Sequence, residues 1–386
     1  MIKNILDQNN LEGKIVLFRA EMNVPIKDGE IENDFRIKAS LKTLNHLLEQ
    51  KAKVVMISHI GRTQDDTFDP VYKYLEEKGL SISFYKDFFK ENDLESEIGD
   101  LRKRVEDSEN GSVFLLDSLR HSEKEKGNDE KFAKNISELG DIFVNDAFGV
   151  CHREHASVVG ISKNFDQENV YGGVVLSSEY SNLEKSFSPE KPAIFILGGN
   201  KFETKIPLIE SFLESYDKII LGGALANNFF RAKGFEIGES IADDIDYDFV
   251  ELMKNPKIFV PEYIITENGE EKKASDVTKD EKILDIAAHS FCGSIENEIK
   301  EAEFILWNGP MGYYEAGFTE GTEKLVKVIS ESKGTSIAGG GNTVSAIEVL
   351  EKSDDFNFIS TAGGAMMDFL TNKTLPGLEA LGYQKG

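Results

Sequence analysis

The sequence predicts an α/β protein of two doubly wound, Rossmann-like parallel-sheet lobes joined by a hinge helix. Three observations predict it. Short apolar runs alternate with helical patterns along both halves of the chain, the rhythm of a parallel sheet covered by helices on both faces. At 386 residues the chain exceeds what one core usually supports. A helical pattern over Ser177 to Phe187, followed by Ser188-Pro-Glu-Lys-Pro192, divides the two runs of strands.

In the first half, Lys14-Ile-Val-Leu-Phe-Arg19 reads as a buried strand, and Arg36 to Gln50 carries Ile37, Leu41, Leu44, Leu47 and Leu48 at helical spacing. Lys53-Val-Val-Met-Ile-Ser58, Ser112-Val-Phe-Leu-Leu116 and Asp141-Ile-Phe-Val-Asn145 read as further strands, the last after a helix around Glu130 to Leu139. In the second half the strands are Ala193 to Leu197, Lys218 to Leu221, Ile258 to Val260, Phe304 to Trp307, Thr335 to Ala338 and Phe356 to Ile359. The expected division is a lobe over 1–172, a connecting helix over 173–190 and a lobe over 191–365. Ligand sites are then expected at the carboxyl ends of the strands, facing an interlobe cleft.

Composition narrows the function. With 40% apolar and 29% charged residues the chain reads as a soluble globular protein. No run approaches the ~20 apolar residues of a membrane span, and Met1-Ile-Lys-Asn-Ile-Leu-Asp lacks the long apolar region of a signal peptide. Cys151 and Cys292 suggest neither a disulfide framework nor a metal knuckle. The expectation is a reduced, cytoplasmic protein. The net charge of −25 argues against general binding of nucleic acid or anionic membrane. Seven of the eight arginines (Arg19, Arg36, Arg62, Arg102, Arg104, Arg120 and Arg153) nonetheless lie in the first 153 residues, and Arg231 is the eighth. Arginine suits forked contact with carboxylate or phosphate, so the first half is a candidate anion site, with Arg102 and Arg104 left to a solvated helix.

The expected strand ends carry the polar residues. They are Arg19-Ala-Glu-Met-Asn-Val-Pro25, Ser58-His-Ile-Gly-Arg62, Leu116-Asp-Ser-Leu-Arg120 and Asn145-Asp-Ala-Phe-Gly149 leading to Cys151-His-Arg-Glu-His155. The four arginines there, with Arg36 at the start of the next helix and with His59, would converge on one anionic ligand. In the second half, Gly339-Gly-Gly-Asn-Thr343 and Ala362-Gly-Gly-Ala365 each follow a strand and open a helix. Such a turn bares several N–H groups at the positive end of a helix dipole, a means of holding phosphate. Lys201 and Lys205 stand one helical turn apart after Gly198-Gly199. Cations at a helix start oppose the dipole unless something negative lies between them, and a polyphosphate would serve. Gly222-Gly223 reads as a close-approach site for a base or sugar, and Glu315 as an acceptor for ribose hydroxyls.

There is no P-loop, no dinucleotide fingerprint, no nucleophile elbow and no protein-kinase loop set. His152 and His155 flank no second Cys/His pair that would complete a zinc site. What remains is positioning plus charge neutralisation, the physics of direct phosphoryl transfer.

With these residues in place the chain resembles phosphoglycerate kinase from about residue 10 to 383. Arg19 to Pro25 is similar to the family's R-V-D-F-N-V-P, Ser58 to Arg62 to its S-H-L-G-R, and Asn145 to Gly149 with His155-Ala-Ser157 to N-D-A-F-G…H-R-x-H-A-S. Gly198 to Lys205 resembles G-G-A-K-V-x-D-K. Trp307-Asn-Gly-Pro-Met-Gly312, Gly339 to Thr343 and Ile359 to Gly364 complete the ordered series. The resemblance implies reversible transfer of the acyl phosphate of 1,3-bisphosphoglycerate to ADP, giving ATP and 3-phosphoglycerate, with Mg2+ carried on the nucleotide. It implies that tail 366–386 returns to the first lobe. By matching position Glu21, Met22, Asn23, Arg36, His59, Arg62, Arg120 and Arg153 would hold the phosphoglycerate. Gly199, Lys201, Lys205, Gly222, Gly223, Asn308, Glu315, Gly340, Gly341, Asn342 and Thr343 would hold the nucleotide. Arg36, Lys205, Gly341 and Gly364 would act on the transferring group. The expected partners are these small molecules, with no nucleic acid, no membrane and a monomeric state.

The chain departs from the family pattern at several positions. Asn342 stands where an aspartate meets the magnesium, Glu21 replaces an aspartate expected against the substrate hydroxyl, and Ala362 and Asn200 replace a glycine and an alanine. Ile286-Ala-Ala-His-Ser290 replaces I-G-P-x-S, and Thr63 stands where proline is usual. These changes keep a second reading open, a phosphoglycerate-kinase-like binder of nucleotide or phosphoglycerate with little turnover. A bilobal carrier of small anions is weaker for want of an export signal.

Overall fold

The computed structural model describes residues 2–90, 93–200, 202 and 205–384. It comprises two compact units, Met1–Ser181 with Asn372–Gly386, and Asn182–Thr371. We number the strands of the two parallel sheets β1 to β12.

The first unit holds β1 (Ile15–Arg19), β2 (Lys53–Ile57), β3 (Ile82–Tyr85), β4 (Val113–Leu116), β5 (Ile142–Asn145) and β6 (Val170–Gly172). They lie in the order β3-β4-β2-β1-β5-β6, all parallel. Every residue of β1, β2, β4, β5 and β6 is buried. A parallel sheet is covered on both faces, so its strands read as continuous apolar runs rather than alternations. The helix Phe35–Glu49 sets Ile37, Leu44 and Leu47 into this core.

The second unit holds β7 (Ala193–Leu197), β8 (Lys218–Leu221), β9 (Ile258–Phe259), β10 (Phe304–Asn308), β11 (Thr335–Gly339) and β12 (Phe358–Ser360), in the order β9-β8-β7-β10-β11-β12. Its core includes the fully buried Trp307, whose Nε1 donates to the Gly309 carbonyl at 2.9 Å. In each sheet the strand order reverses at one place, between β1 and β5 and between β7 and β10. There the following loops diverge and open a crevice at the carboxyl ends.

Several features lie beyond the sequence reading. The edge strands β3 and β6 are not among the strands read from the sequence, and Tyr263–Thr266, Glu271–Lys273 and Ile283–Ile286 form a separate antiparallel sheet. The helix read from Ser177 to Phe187 runs instead Val174–Glu184, with one 3-10 turn over Lys185–Phe187. Its start is set by distant groups: Asp146 accepts from the amides of Val175 and Leu176, at 2.7 and 3.1 Å, and the Thr43 hydroxyl accepts from Val174 at 2.9 Å. A cap supplied from 30 and 131 residues away leaves no local mark. The C-terminal segment belongs to the first unit, where the Gly377 amide donates to the Cys151 carbonyl at 2.9 Å and Tyr383 packs edge-on against Tyr180. No helix among the described residues is long and apolar enough to cross a membrane.

Candidate active site

In the first unit the ends of β1, β2, β4 and β5 supply the expected residues from four adjacent loops. Asn23, after β1, accepts from the Gly61 amide through Oδ1 at 3.0 Å, which ties that loop to the loop after β2. Arg36, in the first turn of its helix, donates from Nη1 to the Asn23 carbonyl at 3.0 Å and stands 3.6 Å from Glu21 Oε1. Glu21 Oε2 is buried with no hydrogen-bond partner. Arg120, after β4, is buried and donates to the Gly61 carbonyl. Arg62 is exposed on a turn held by Asp66, which accepts from the Arg62 and Thr63 amides at 2.8 and 2.7 Å. Arg153 is exposed and donates from Nε to His152 Nε2 at 3.2 Å.

The electrostatics favour an anion. Burial depresses the Arg120 pKa, and the neighbouring cations Arg153 and Arg19 depress it further, only partly offset by Glu125 and Asp66. Burial holds His59 well below the usual histidine range, helped by Arg19, Arg120, His155 and Arg36. Like charges gathered this closely are relieved by an anion between them.

Two expectations change. Arg19 does not join the ligand set, because it is fully buried and donates within the protein: to Ser157 Oγ at 3.1 Å, the Ala20 carbonyl at 2.6 Å, Ser58 Oγ at 3.2 Å and His59 Nδ1 at 2.8 Å. The Met22 side chain lies in the unit's core, which leaves its backbone alone to reach a ligand. Sequence reasoning missed the buried Glu125, which accepts from the Ser157 amide at 2.9 Å and hydroxyl at 2.6 Å. It sits in the charged run Ser122-Glu-Lys-Glu-Lys126, which reads as a solvated face.

In the second unit a cavity of about 820 Å³ opens at the carboxyl ends of the strands, lined by Gly199, Gly223, Pro310, Tyr314, Glu315 and Asn342 among others. That volume suits a nucleotide-sized ligand. Lys205 immediately precedes the helix Ile206–Phe212 and donates from Nζ to the Gly198 carbonyl at 2.7 Å. Lys201 lies outside the described residues. Asn308, the last residue of β10, is buried, as is Thr343, whose hydroxyl finds no partner.

The glycines divide into two kinds. A Cβ on Gly222 would lie 2.2 Å from Met311 Sδ, and one on Gly223 would lie 2.7 Å from the Gly199 amide nitrogen. Backbone atoms close off the space beside Gly223, while beside Gly222 the neighbour is the end of the Met311 side chain. Gly340, at φ +98, turns the chain from β11 into the helix Gly341–Val349. Cβ atoms at Gly341, Gly363 and Gly364 would meet nothing within 4 Å. The helices Gly341–Val349 and Gly363–Asn372 begin at these glycines, where the first N–H groups have no partner within the helix.

Asn342 Nδ2 donates to Glu315 Oε1 at 3.4 Å, which leaves the amide oxygen as a hard donor beside a carboxylate at the cavity. This set fits a magnesium that keeps most of its ligands from water and phosphate. Among the described residues, Asp87, Asp117 and His121 also bring possible ligand atoms within 4.8 Å of one another. Asp117, however, already accepts from Thr67, Phe68, Asp87 and Ser118 and serves as a structural hub.

Two switch-point sheets, one edged with cations and the other with open glycine-started helices over a nucleotide-sized cavity, define the class: an α/β phosphotransferase. A family profile described as Phosphoglycerate kinase matches residues 6–373. The chain is 36% identical over 394 residues to the phosphoglycerate kinase of Francisella tularensis subsp. tularensis, covering 96% of each chain. It is 38% identical over 402 residues to that of Dictyoglomus turgidum, covering 98% of each. The structure of phosphoglycerate kinase from Coxiella burnetii superposes with a TM-score of 0.84 at 31% identity, covering 100% of both chains. That from Pyrococcus horikoshii OT3 gives 0.80 at 29% identity, covering 99% of this chain and 98% of the other. The chain belongs to the phosphoglycerate kinase family, whose members are kinases of glycolysis.

Proposed function

We infer that the chain catalyses reversible transfer of the acyl phosphate of 1,3-bisphosphoglycerate to ADP, giving ATP and 3-phosphoglycerate. The observation that carries this is the family match over residues 6–373 in a chain that keeps both the cation-edged sheet and the open glycine-started helices. The first unit binds the phosphoglycerate through Glu21, Asn23, the Met22 backbone, Arg36, His59, Arg62, Arg120 and Arg153. The second binds the nucleotide through Gly199, Lys201, Lys205, Asn308, Glu315, Gly340, Gly341, Asn342 and Thr343, with Gly222 and Gly223 shaping its loop.

In the reaction, the substrate carboxylate oxygen attacks the transferring phosphorus or leaves from it. The guanidinium of Arg36 and the ammonium of Lys205 offset charge on the equatorial oxygens, and amides near Gly341 and Gly364 add neutral donors. Magnesium on the nucleotide supplies further charge neutralisation, with Asn342 and Glu315 as the residues that would meet it or its waters. The helix Val174–Glu184, within which the chain passes from one unit to the other, serves as the hinge of a closure that excludes water. The proposed setting is the cytoplasm, where a reducing environment would leave both cysteines free, with the chain acting as a monomer.

A coupled assay with ADP and 1,3-bisphosphoglycerate tests the reading, with ATP formation as the expected result. Substitutions at Asn342 and Glu21 favour the second reading, a binder with little turnover. Tight binding of both ligands without ATP formation would establish it.

A further inference from the structure

Four buried side chains of the first unit form an unbroken hydrogen-bonded series. Glu125, Ser157, Arg19 and His59 are 1, 0, 0 and 3% exposed. The Ser157 hydroxyl donates to Glu125 Oε1 at 2.6 Å, and Glu125 Oε2 accepts from the Ser157 amide at 2.9 Å. The same hydroxyl oxygen accepts from Arg19 Nε at 3.1 Å, and Arg19 Nη2 meets His59 Nδ1 at 2.8 Å.

The last contact fixes a chemical state. Arginine offers only donors, so Nδ1 of His59 must accept, and the imidazole proton resides on Nε2. Nε2 is itself buried with no hydrogen-bond partner. A buried donor left unmatched is costly, and such a group marks a place where something else binds. Arg19 meets this ring directly, and the positive charges of Arg19, Arg120, His155 and Arg36 all disfavour a proton on it, a field that suits an anion there. Ser157 belongs to the turn Ala156–Gly160, Glu125 to Glu123–Lys126, and Arg19 to the end of β1. One carboxylate thus ties together the loops that carry Arg120, Arg153 and His59.

We propose that Glu125, acting through Ser157 and Arg19, is a positioning residue that holds His59 as the neutral Nε2–H tautomer. In that state His59 donates a hydrogen bond to an oxygen of the phosphoglycerate ligand. The proposal rests on the phosphoglycerate kinase reading and adds to it a tautomer and the residue that sets it. A neutral donor aims at one oxygen by direction, whereas an imidazolium there would add a further charge to an arginine cluster.

The test is nitrogen NMR of the histidine rings in the full-length protein, without and with 3-phosphoglycerate. The expected result is a His59 ring with unprotonated Nδ1 and protonated Nε2, unchanged between about pH 5 and 8, whose Nε2 resonance moves when 3-phosphoglycerate is added. Ser157→Ala cuts the series. It is expected to give a mixture of tautomers and raise KM for 3-phosphoglycerate about tenfold, the loss of one charge-assisted hydrogen bond, with KM for ATP unchanged. Ser157→Thr, which keeps the hydroxyl, restores both. A parent His59 protonated at Nδ1 overturns the proposal whether or not any variant folds. So does a folded Ser157→Ala or Glu125→Gln protein with the parent nitrogen pattern and KM, or a parent Nε2 that ignores 3-phosphoglycerate. Failure of the underlying reading shows differently, as a parent with the stated tautomer and no phosphotransfer from ATP.

Discussion

Asn342 donates its side-chain amide to Glu315 Oε1 across 3.4 Å at the rim of the second unit's cavity. Asn342→Asp would place two carboxylates at that distance, a pair that repels unless a cation joins them. The variant is therefore expected to need magnesium less, because the added charge strengthens cation binding. Titrating activity with magnesium should show half-saturation about three- to tenfold lower in the variant. Superimposable curves would remove Asn342 from metal handling.

Arg36 donates to the Asn23 carbonyl and stands 3.6 Å from Glu21, so its guanidinium is held by the same loop that carries the substrate acceptor. If it stabilises the transferring phosphoryl group, Arg36→Ala should lower kcat by about 10² to 10³. KM for nucleotide should change little. Turnover within a few-fold of the parent sinks the assignment.

Glu21 Oε2 is buried without a partner, and a Cβ added at Gly149 would sit 3.1 Å from it. The longer side chain therefore already fills the space beside Gly149. Gly149→Ala is expected to crowd this carboxylate and raise KM for 3-phosphoglycerate several-fold, and Glu21→Asp should relieve that crowding in the double variant. Additive effects of the two changes in steady-state kinetics would show that the carboxylate and Gly149 do not interact.

Asp146 caps the helix Val174–Glu184, accepting from Thr43, Val175 and Leu176, and burial pushes its pKa up to about 7 against those donors. The unfolded chain releases this proton near pH 4. The folded chain thus binds more protons over the interval, so the group's stabilisation is full below about pH 4 and is lost as pH rises through about 7. Asparagine can accept both amides and donate to Thr43 without ionising. Asp146→Asn is expected to gain on the order of 1–2 kcal/mol relative to the parent between about pH 5 and 8. Thermal unfolding across that range checks it, and parallel Tm profiles would contradict it.

Much of the fold was legible because parallel strands buried on both faces are plain apolar runs. Ala193–Leu197 and Lys218–Leu221 fall where the sequence places them. The edge strand Ile82–Tyr85 was not, since partial exposure leaves no run to read, as Ser83 is exposed and Phe84 and Tyr85 are half-buried. In the site, glycine and arginine announce themselves by type but not by destination. Arg19 and Arg120 look alike in sequence, yet Arg19 is spent inside the protein on Ser157 and His59. Glu125 was illegible because its burial depends on Ser157, 32 residues away.

The two kinds of glycine give the last prediction. Gly223, at φ +60, has backbone atoms of Gly199 and Pro310 between 2.7 and 3.0 Å from any added Cβ. Neither the backbone angle nor the space admits a side chain, so Gly223→Ala should destabilise the protein by about 1–3 kcal/mol. Gly341 begins a helix at ordinary φ with nothing within 4 Å of an added Cβ. There alanine costs the fold nothing and favours the helix slightly, but it would stand where a phosphate approaches the amides. Gly341→Ala is therefore expected to keep or raise the Tm while KM for ATP rises about five- to tenfold and KM for 3-phosphoglycerate stays put. Unfolding curves and two-substrate kinetics separate the cases. A Gly341→Ala enzyme with parental KM for ATP would mean that the open space over this helix start is solvent rather than the place of the nucleotide's phosphates.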